Sequence, residues 1–342
     1  MKRLFTPALC AALALTLAAG CGQTTAPAPS AEEPRAQRLH LETLAVELPR
    51  DYAPDDETLL QAIANAPELL KAALAKQQVE VDAVTVTVGA SAGATCQALT
   101  GGTVDLAFLS AESYLEAGGG GTVILADAGE GDQAGTASVL WSAPSDYGQA
   151  LARRLADGKD LTWTELDHAR WGVLDRDSDL GWRSPNLWLS DQYEGMTLDD
   201  LSQVTTYASY EELLRAAAAE EIDLFPMPRA ALEDWTEAWT LESSRTDGAG
   251  RSGLGRPVPM TEEVFEIAAF EPLLSSLAVV REEDTLSSDT FAQVLAAALE
   301  ELGQTPEGQA LLSVLGANRY VPAGAEQLDP LRRILTMEGV AL

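Results

Sequence analysis

Two stretches of this chain repeat one another in outline, and that repeat limits the fold more than any other feature. Val84–Leu115 reads VTVTVGASAGATCQALTGGTVDLAFLSAESYL, and Val204–Trp235 reads VTTYASYEELLRAAAAEEIDLFPMPRAALEDW. Each opens with a β-prone run, turns into a segment of helical periodicity, continues into a hydrophobic-Asp-Leu strand and closes with another helix. Further short apolar runs bounded by turn signals lie at Thr122–Ala128, Ser138–Ala143, Trp171–Asp175 and Leu277–Val280. Helical periodicity fills Asp56–Lys76, with an interruption expected near Pro67, and also Tyr147–Gly158, Ser209–Glu221 and Asp289–Gly303. Ser209 with Glu212 forms a capping-box signature. The alternation predicts α/β lobes with largely parallel sheets. A chain of 342 residues exceeds what one core usually supports, so two lobes of like construction follow. In open α/β sheets ligands settle beyond the carboxyl ends of the strands, which places a crevice between the lobes.

The first residues, MKRLFTPALCAALALTLAAGC, carry Lys2 and Arg3 before an apolar stretch and small residues before Cys21. That is the layout of an export signal over residues 1–20, too short and wrongly flanked for a membrane span. Ala18-Ala19-Gly20-Cys21 resembles the lipobox of bacterial lipoproteins. The resemblance implies cleavage before Cys21, lipid on that cysteine and a location on the outer face of the cytoplasmic membrane; an ordinary secretory signal with a chance cysteine is the alternative. Residues 21–37, rich in Ala, Pro, Thr and Glu without apolar periodicity, read as a disordered tether. Cys10 falls in the leader, so Cys96 alone remains for the body. It reads as a buried small residue with no disulfide partner.

The chain holds 22 basic and 53 acidic residues, for a net charge of −31. Such a field opposes nucleic acid and favours solubility. Two histidines, His40 and His168, and no Gly-x-Ser-x-Gly elbow leave a hydrolytic triad little to draw on. With this many acids, carboxylates adjacent in sequence carry no information about a glycosidase pair. The glycine-rich Asp247–Pro257 lacks the Gly-Lys-Ser/Thr ending of a phosphate-binding loop and reads as a return crossing or a surface loop. A non-enzymatic ligand catcher without a cofactor is the reading.

GGTVDLAFLSAESYL, AGTASVLW, DRDSDLGWRSP, GMTLDDLSQVTTYASYEELLRAAAAEEIDLF and LGQTPEGQALLSVLGANRYVPAGAEQLDPLRRIL, in that order, are similar to the substrate-binding proteins of phosphonate, phosphite and phosphate ABC importers, the PhnD-like family. The resemblance covers most of residues 40–337, and its last segment is the most specific. It implies a type II periplasmic-binding-protein fold, two α/β lobes joined by two crossing strands. Lobe 1 would begin at residues 38–135, lobe 2 would span 136–248, and 249–342 would return to lobe 1. It also implies a monomer that closes on a small ligand and docks on a permease driven by an ATPase. A tethered sensory or adhesive module using the same fold without transport is the alternative.

In that family the anion is held by hydroxyls and backbone N–H groups at helix starts, where the dipole favours negative charge. The resemblance carries this role to Ser91, Ala92, Gly93, Thr136, Ser178, Asp179, Gly181 and Trp182. This chain departs from the pattern at several of them. Asp-Pro-x-Ser-Thr-Ser-Gly-Tyr becomes Asp175-Arg176-Asp177-Ser178-Asp179-Leu180-Gly181-Trp182, which replaces two hydroxyl donors. Ala92 stands where a tyrosine is usual, as does Thr136 on the crossing strand. Four readings of the acidic turn stay open. It is an oxyanion turn with its carboxylates facing solvent, a turn rebuilt for an amine-bearing or zwitterionic ligand that Trp182 stacks on and Asp177 or Asp179 pairs with, a surface turn that the acids merely decorate, or a calcium loop. The calcium spacing of Asp175, Asp177 and Asp179 is right, but Gly181 and Asn186 fall where a loop of that kind wants other things. Arg183 either neutralises Asp179 or assists an anion. Tyr52 is within chain reach of the crevice.

Overall fold

The computed structural model describes residues 39–50, 52 and 55–342. The leader, Cys10, Cys21 and the tether lie outside the described residues. Arg38–Leu342 forms one compact unit built on two sheets.

The first sheet takes β1 (Leu39–Leu48), β2 (Val79–Val88), β3 (Leu106–Ser110), β4 (Thr122–Asp127), β10 (Ser276–Val280) and β11 (Tyr320–Pro322) in the order β11-β4-β10-β3-β1-β2. The second takes β5 (Val139–Ser142), β6 (Trp171–Val173), β7 (Val204–Thr206), β8 (Leu224–Met227) and β9 (Phe265–Ala269) in the order β7-β6-β8-β5-β9. Strands β1 and β2, β1 and β3, β6 and β7, and β6 and β8 pair parallel; β10 and β5 run antiparallel to their neighbours. The two sheets share one plan, a parallel set of strands with a reversed strand beside it, β10 in the first and β5 in the second, as the repeat in sequence implied; the first sheet adds a second reversed strand, β11, at its edge.

Each sheet is sandwiched by helices. On the first sheet, Leu59, Leu70 and Leu74 of one helix pack with Phe291, Leu295 and Leu299 of another on one face. Leu99, Leu115 and Leu331 pack on the opposite face. The second sheet buries Leu213, Phe225 and Trp239 on one side and Trp171, Trp182 and Leu189 on the other. Strands covered on both faces read as continuous apolar runs, which is why LAFL, VILA and SLAVV were visible in sequence. Cys96 is buried and unpaired. Among the described residues no helix is long and apolar enough to cross a membrane.

Two expectations change. The helix Asp56–Lys76 runs through Pro67 without a break: the missing N–H costs one backbone bond, while the buried stripe from Leu59 to Leu74 continues on both sides of it. The return crossing also falls later than residue 249. Strand β9 pairs with β5 in the second sheet, so the chain stays in lobe 2 until Ala269. Thr136 and Leu273 then exchange backbone hydrogen bonds of 2.9 and 3.0 Å where the two crossing segments meet. The glycine-rich stretch is a lobe 2 turn instead, closed by the Asp247 carboxylate accepting from Ala249 N (2.9 Å) and Arg251 N (2.7 Å). Strand β9 hid in the sequence because it is an edge strand whose residues are exposed or half-buried, so no apolar run marks it.

Candidate functional site

Helix starts and strand carboxyl ends from both lobes converge on the side of the crossing strands. In lobe 1, Ser91 follows β2 and caps the helix Ala92–Thr100, its Oγ accepting from Ala94 N at 3.2 Å. A serine serves there because its oxygen satisfies an N–H that has no partner within the helix, while its own O–H stays available to donate. Ala92 is half-buried against the lobe 1 core. A Cβ placed on Gly93 would meet nothing within 4 Å, so no neighbour in this chain demands a glycine there.

The return crossing is anchored on the same sheet, with three strands between β2 and β4. Asp127, at the end of β4 and 7% exposed, accepts from Ser275 N at 2.7 Å and Ser276 N at 3.0 Å. Tyr52 donates its phenol to the Ser275 carbonyl at 2.8 Å, and its ring lies where a Cβ on Gly316 would sit, 2.3 Å away. Gly316 has φ +94°, so this position requires glycine for its backbone as well as for the ring.

In lobe 2 the turn after β6 carries the other half. Ser178 Oγ accepts from Gly181 N at 3.0 Å, and its carbonyl accepts from both Trp182 N and Arg183 N at 3.0 Å. Asp179–Arg183 is thus wound as a π-turn, a widened form that occurs often at functional sites. Gly181 is fixed by packing, since a Cβ would lie 2.6 Å from the Leu174 side chain. Trp182 turns its ring inward. It is 6% exposed within the lobe 2 core, and the Arg176 guanidinium stacks 4.5 Å from its ring centre. The stacking platform expected of Trp182 is therefore spent on holding the turn to the sheet.

The acidic turn also differs from a calcium loop. Asp175 and Asp177 are exposed, and Asp179 accepts from Arg183 Nη1 at 3.1 Å. Among the described residues no group of three or more His, Cys, Asp or Glu side chains is placed to hold a metal ion. Arg183 does more than neutralise Asp179. Its Nη1 reaches Glu112 at 3.3 Å and its Nε reaches Glu338 at 2.9 Å, both in lobe 1. Burial disfavours this charge, yet the Asp179 bond with the Glu112 and Glu338 charges outweighs that and holds the guanidinium above its ordinary value. The (i, i+4) spacing of Asp179 and Arg183 was readable in sequence; the two glutamates, far away along the chain, were not.

The site residues thus divide. Ser91 and Ser178 cap helices that start at strand carboxyl ends, Thr136 sits in the crossing and Asp179 is half-buried in an ion pair, while Gly181 and Trp182 are packing residues. A cavity of about 420 Å³ lies beside the crossing strands, with Ala134, Glu271, Leu274, Asp329 and Arg333 among its lining residues. It takes in none of the eight residues above.

Two like α/β lobes joined by paired crossing segments, with helix starts turned toward the crossing, define a type II periplasmic binding protein. Residues 60–328 match the family described as the periplasmic substrate-binding proteins of phosphonate ABC transporters, and the chain belongs to that family. No curated protein matches the sequence. Among solved structures, the chain is similar to a binding protein component of an ABC phosphonate transporter from Pseudomonas aeruginosa (14% identity, 87% of each chain, TM-score 0.38). It is also similar to PhnD1 from Prochlorococcus marinus in complex with methylphosphonate (12% identity, 88% of this chain and 99% of that one, TM-score 0.38). Transferrin 1 from Manduca sexta is similar at 10% identity over 88% of this chain and 47% of that one, with a TM-score of 0.53. The chain is an extracytoplasmic substrate-binding component of this ABC transporter family, which binds and delivers a small ligand to a permease and its ATPase.

Proposed function

We propose that the chain is tethered to the outer face of the cytoplasmic membrane through lipid on Cys21 and holds a phosphonate- or phosphate-like oxyanion between its lobes. The observation that carries the ligand half is the pair of capping serines, Ser91 in lobe 1 and Ser178 in lobe 2. Each accepts from its own helix at 3.2 and 3.0 Å and keeps its proton for a ligand oxygen. Gly93 adds a helix-start backbone free of obstruction, and Thr136 a hydroxyl on the crossing segment. Binding here is recognition without chemistry, as one monomer.

A second reading has its own support. Asp179, Glu112 and Glu338 place three carboxylates around the one cation Arg183, and that surplus of negative charge favours a ligand bearing an amine beside its anion. Titration calorimetry of the full chain with methylphosphonate, inorganic phosphate and 2-aminoethylphosphonate separates the two. Binding of all three supports the oxyanion reading, binding of the aminophosphonate alone supports the zwitterionic one, and binding of none refutes both. For the anchor, Cys21→Ser should move the protein from the membrane to the soluble fraction; unchanged fractionation would rule the lipid out.

A further inference from the structure

The C-terminal helix Asp329–Met337 belongs to two bodies at once. Leu331 and Leu335 sit in the lobe 1 core with Leu328, a spacing that puts them on one stripe of the helix. Ile334, on another face, packs with Leu187 of lobe 2 and Leu273 of the return crossing, all three no more than 5% exposed. Beside it Arg333 pairs with Asp191 of lobe 2 and, at 3.2 Å, with Glu271. One turn on, Glu338 accepts from Arg183 at 2.9 Å.

Seen from lobe 2, the contacts fall at Arg183, Leu187 and Asp191. These are four residues apart and therefore lie on one helical face. Their partners, Glu338, Ile334 and Arg333, run the opposite way along the C-terminal helix. The seam is thus two antiparallel helices, one per lobe, with a buried apolar centre and an ion pair at each end. Arg183 matters more than Arg333, because its side chain is 14% exposed against 42% and exposed pairs contribute little. Arg183 also ends the turn that carries Ser178, and it reaches Glu112 at the start of the lobe 1 helix after β3.

We propose that this seam is an interlobe clasp and that Arg183 is the positioning residue of the ligand turn. It ties the Ser178 turn to lobe 1 through contacts made wholly by the chain itself, so closure of the lobes is stabilised in part independently of any ligand. The effect on affinity rests on the interlobe ligand reading given above; the clasp does not.

Hydrogen exchange measured by mass spectrometry on the full chain tests it, using Arg183→Gln, Glu338→Gln and the double variant. The expected result is faster exchange in all three segments 111–116, 179–192 and 329–338, with the strands of both sheets unchanged. The two single variants should be non-additive, since they break one contact. Faster exchange confined to 179–183, with Glu338→Gln silent, would overturn the clasp and leave Arg183 as a local partner of Asp179. A rise across the whole chain would overturn it too, in favour of a general structural role. In parallel, methylphosphonate and inorganic phosphate serve as probes of affinity. Loss of the clasp lowers the closed population and should weaken whichever probe the unmodified chain binds by about tenfold. Equal affinity in Arg183→Gln would overturn the positioning role. If the unmodified chain binds neither probe, the oxyanion reading fails, while the exchange pattern still decides the clasp.

Discussion

Asp105 and Asp223 occupy the same place in the two lobes. Each is the residue before a central strand, β3 or β8, and each is buried, at 8% and 2% exposure. Asp105 N donates to Ala45 O at 2.8 Å and Asp223 N to Arg170 O at 2.7 Å, while their carbonyls accept from Arg281 N (3.1 Å) and Ala143 N (2.8 Å). Their carboxylates accept from a neighbouring backbone N–H, Ala45 at 2.7 Å and Arg170 at 2.8 Å, and each meets an arginine. The hydrophobic-Asp-Leu repeat is therefore a structural device. It pins the amino end of the central strand, on the side of each sheet away from the crevice.

The two sites differ in strength, and that difference is testable. Asp223 takes two guanidinium bonds from Arg170, at 3.0 and 2.6 Å, and the Ser145 hydroxyl at 2.6 Å. Asp105 takes one bond from Arg281 at 2.5 Å. Asp223→Asn should cost about 2–3 kcal/mol and Asp105→Asn about 1–2 kcal/mol, because charge-assisted bonds are lost in proportion. Urea unfolding of each variant measures this; equal losses would contradict the ranking.

The same carboxylate sets a pH dependence. Burial alone would raise the Asp223 pKa, but the hydrogen bonds from Arg170 and Ser145 outweigh it and hold the pKa below the ordinary 3.8. A depressed carboxylate contributes stability that is fully present above its unfolded value and is lost as pH falls through the folded one. The stability gap between the unmodified chain and Asp223→Asn should therefore be constant from neutral pH down to about 5 and close below about 4. A gap that closed near pH 6 would point to another group.

Much of the fold was legible because its determinants are local. Strands β3, β4, β5, β6, β8 and β10 are buried on both faces and announce themselves as apolar runs, and Ser209 is a cap readable from Glu212 three residues on. What stayed hidden depends on distant partners. Strand β9 is a half-exposed edge, so nothing in its own residues separates it from a loop, and the return crossing was placed early in consequence. Trp182 matches an aromatic position of the family, but whether its ring faces a ligand or the core is decided by Trp171, Leu189 and Arg176. The Arg183 bridge joins residues 155 positions apart in the Glu338 contact, beyond any local pattern.

Trp182 gives the third expectation. Truncating a core indole leaves a cavity, so Trp182→Ala should destabilise the protein by about 3–5 kcal/mol, whereas Trp182→Phe should keep most of the packing and leave affinity for methylphosphonate or phosphate within about twofold. Calorimetric unfolding and titration separate the two effects. A Phe variant that folds normally yet loses the ligand would return the ring to the binding site.

Gly93 and Gly181 provide the sharpest contrast, since the resemblance carries a ligand role to both but only one is required by packing. A methyl on Gly181 meets Leu174 at 2.6 Å, so Gly181→Ala should shift the turn and cost about 1–3 kcal/mol. A methyl on Gly93 meets nothing, and Gly93 lies within the helix Ala92–Thr100, where alanine is favoured over glycine by about 0.5–1 kcal/mol. Gly93→Ala should therefore stabilise the protein. If a ligand oxygen approaches the helix start there, the same methyl blocks it, and binding of whichever probe the chain takes should fall while stability rises. Thermal unfolding and calorimetric titration on one preparation read both signs. A more stable variant with unchanged affinity would remove Gly93 from the ligand site and leave Ser91 as a cap alone.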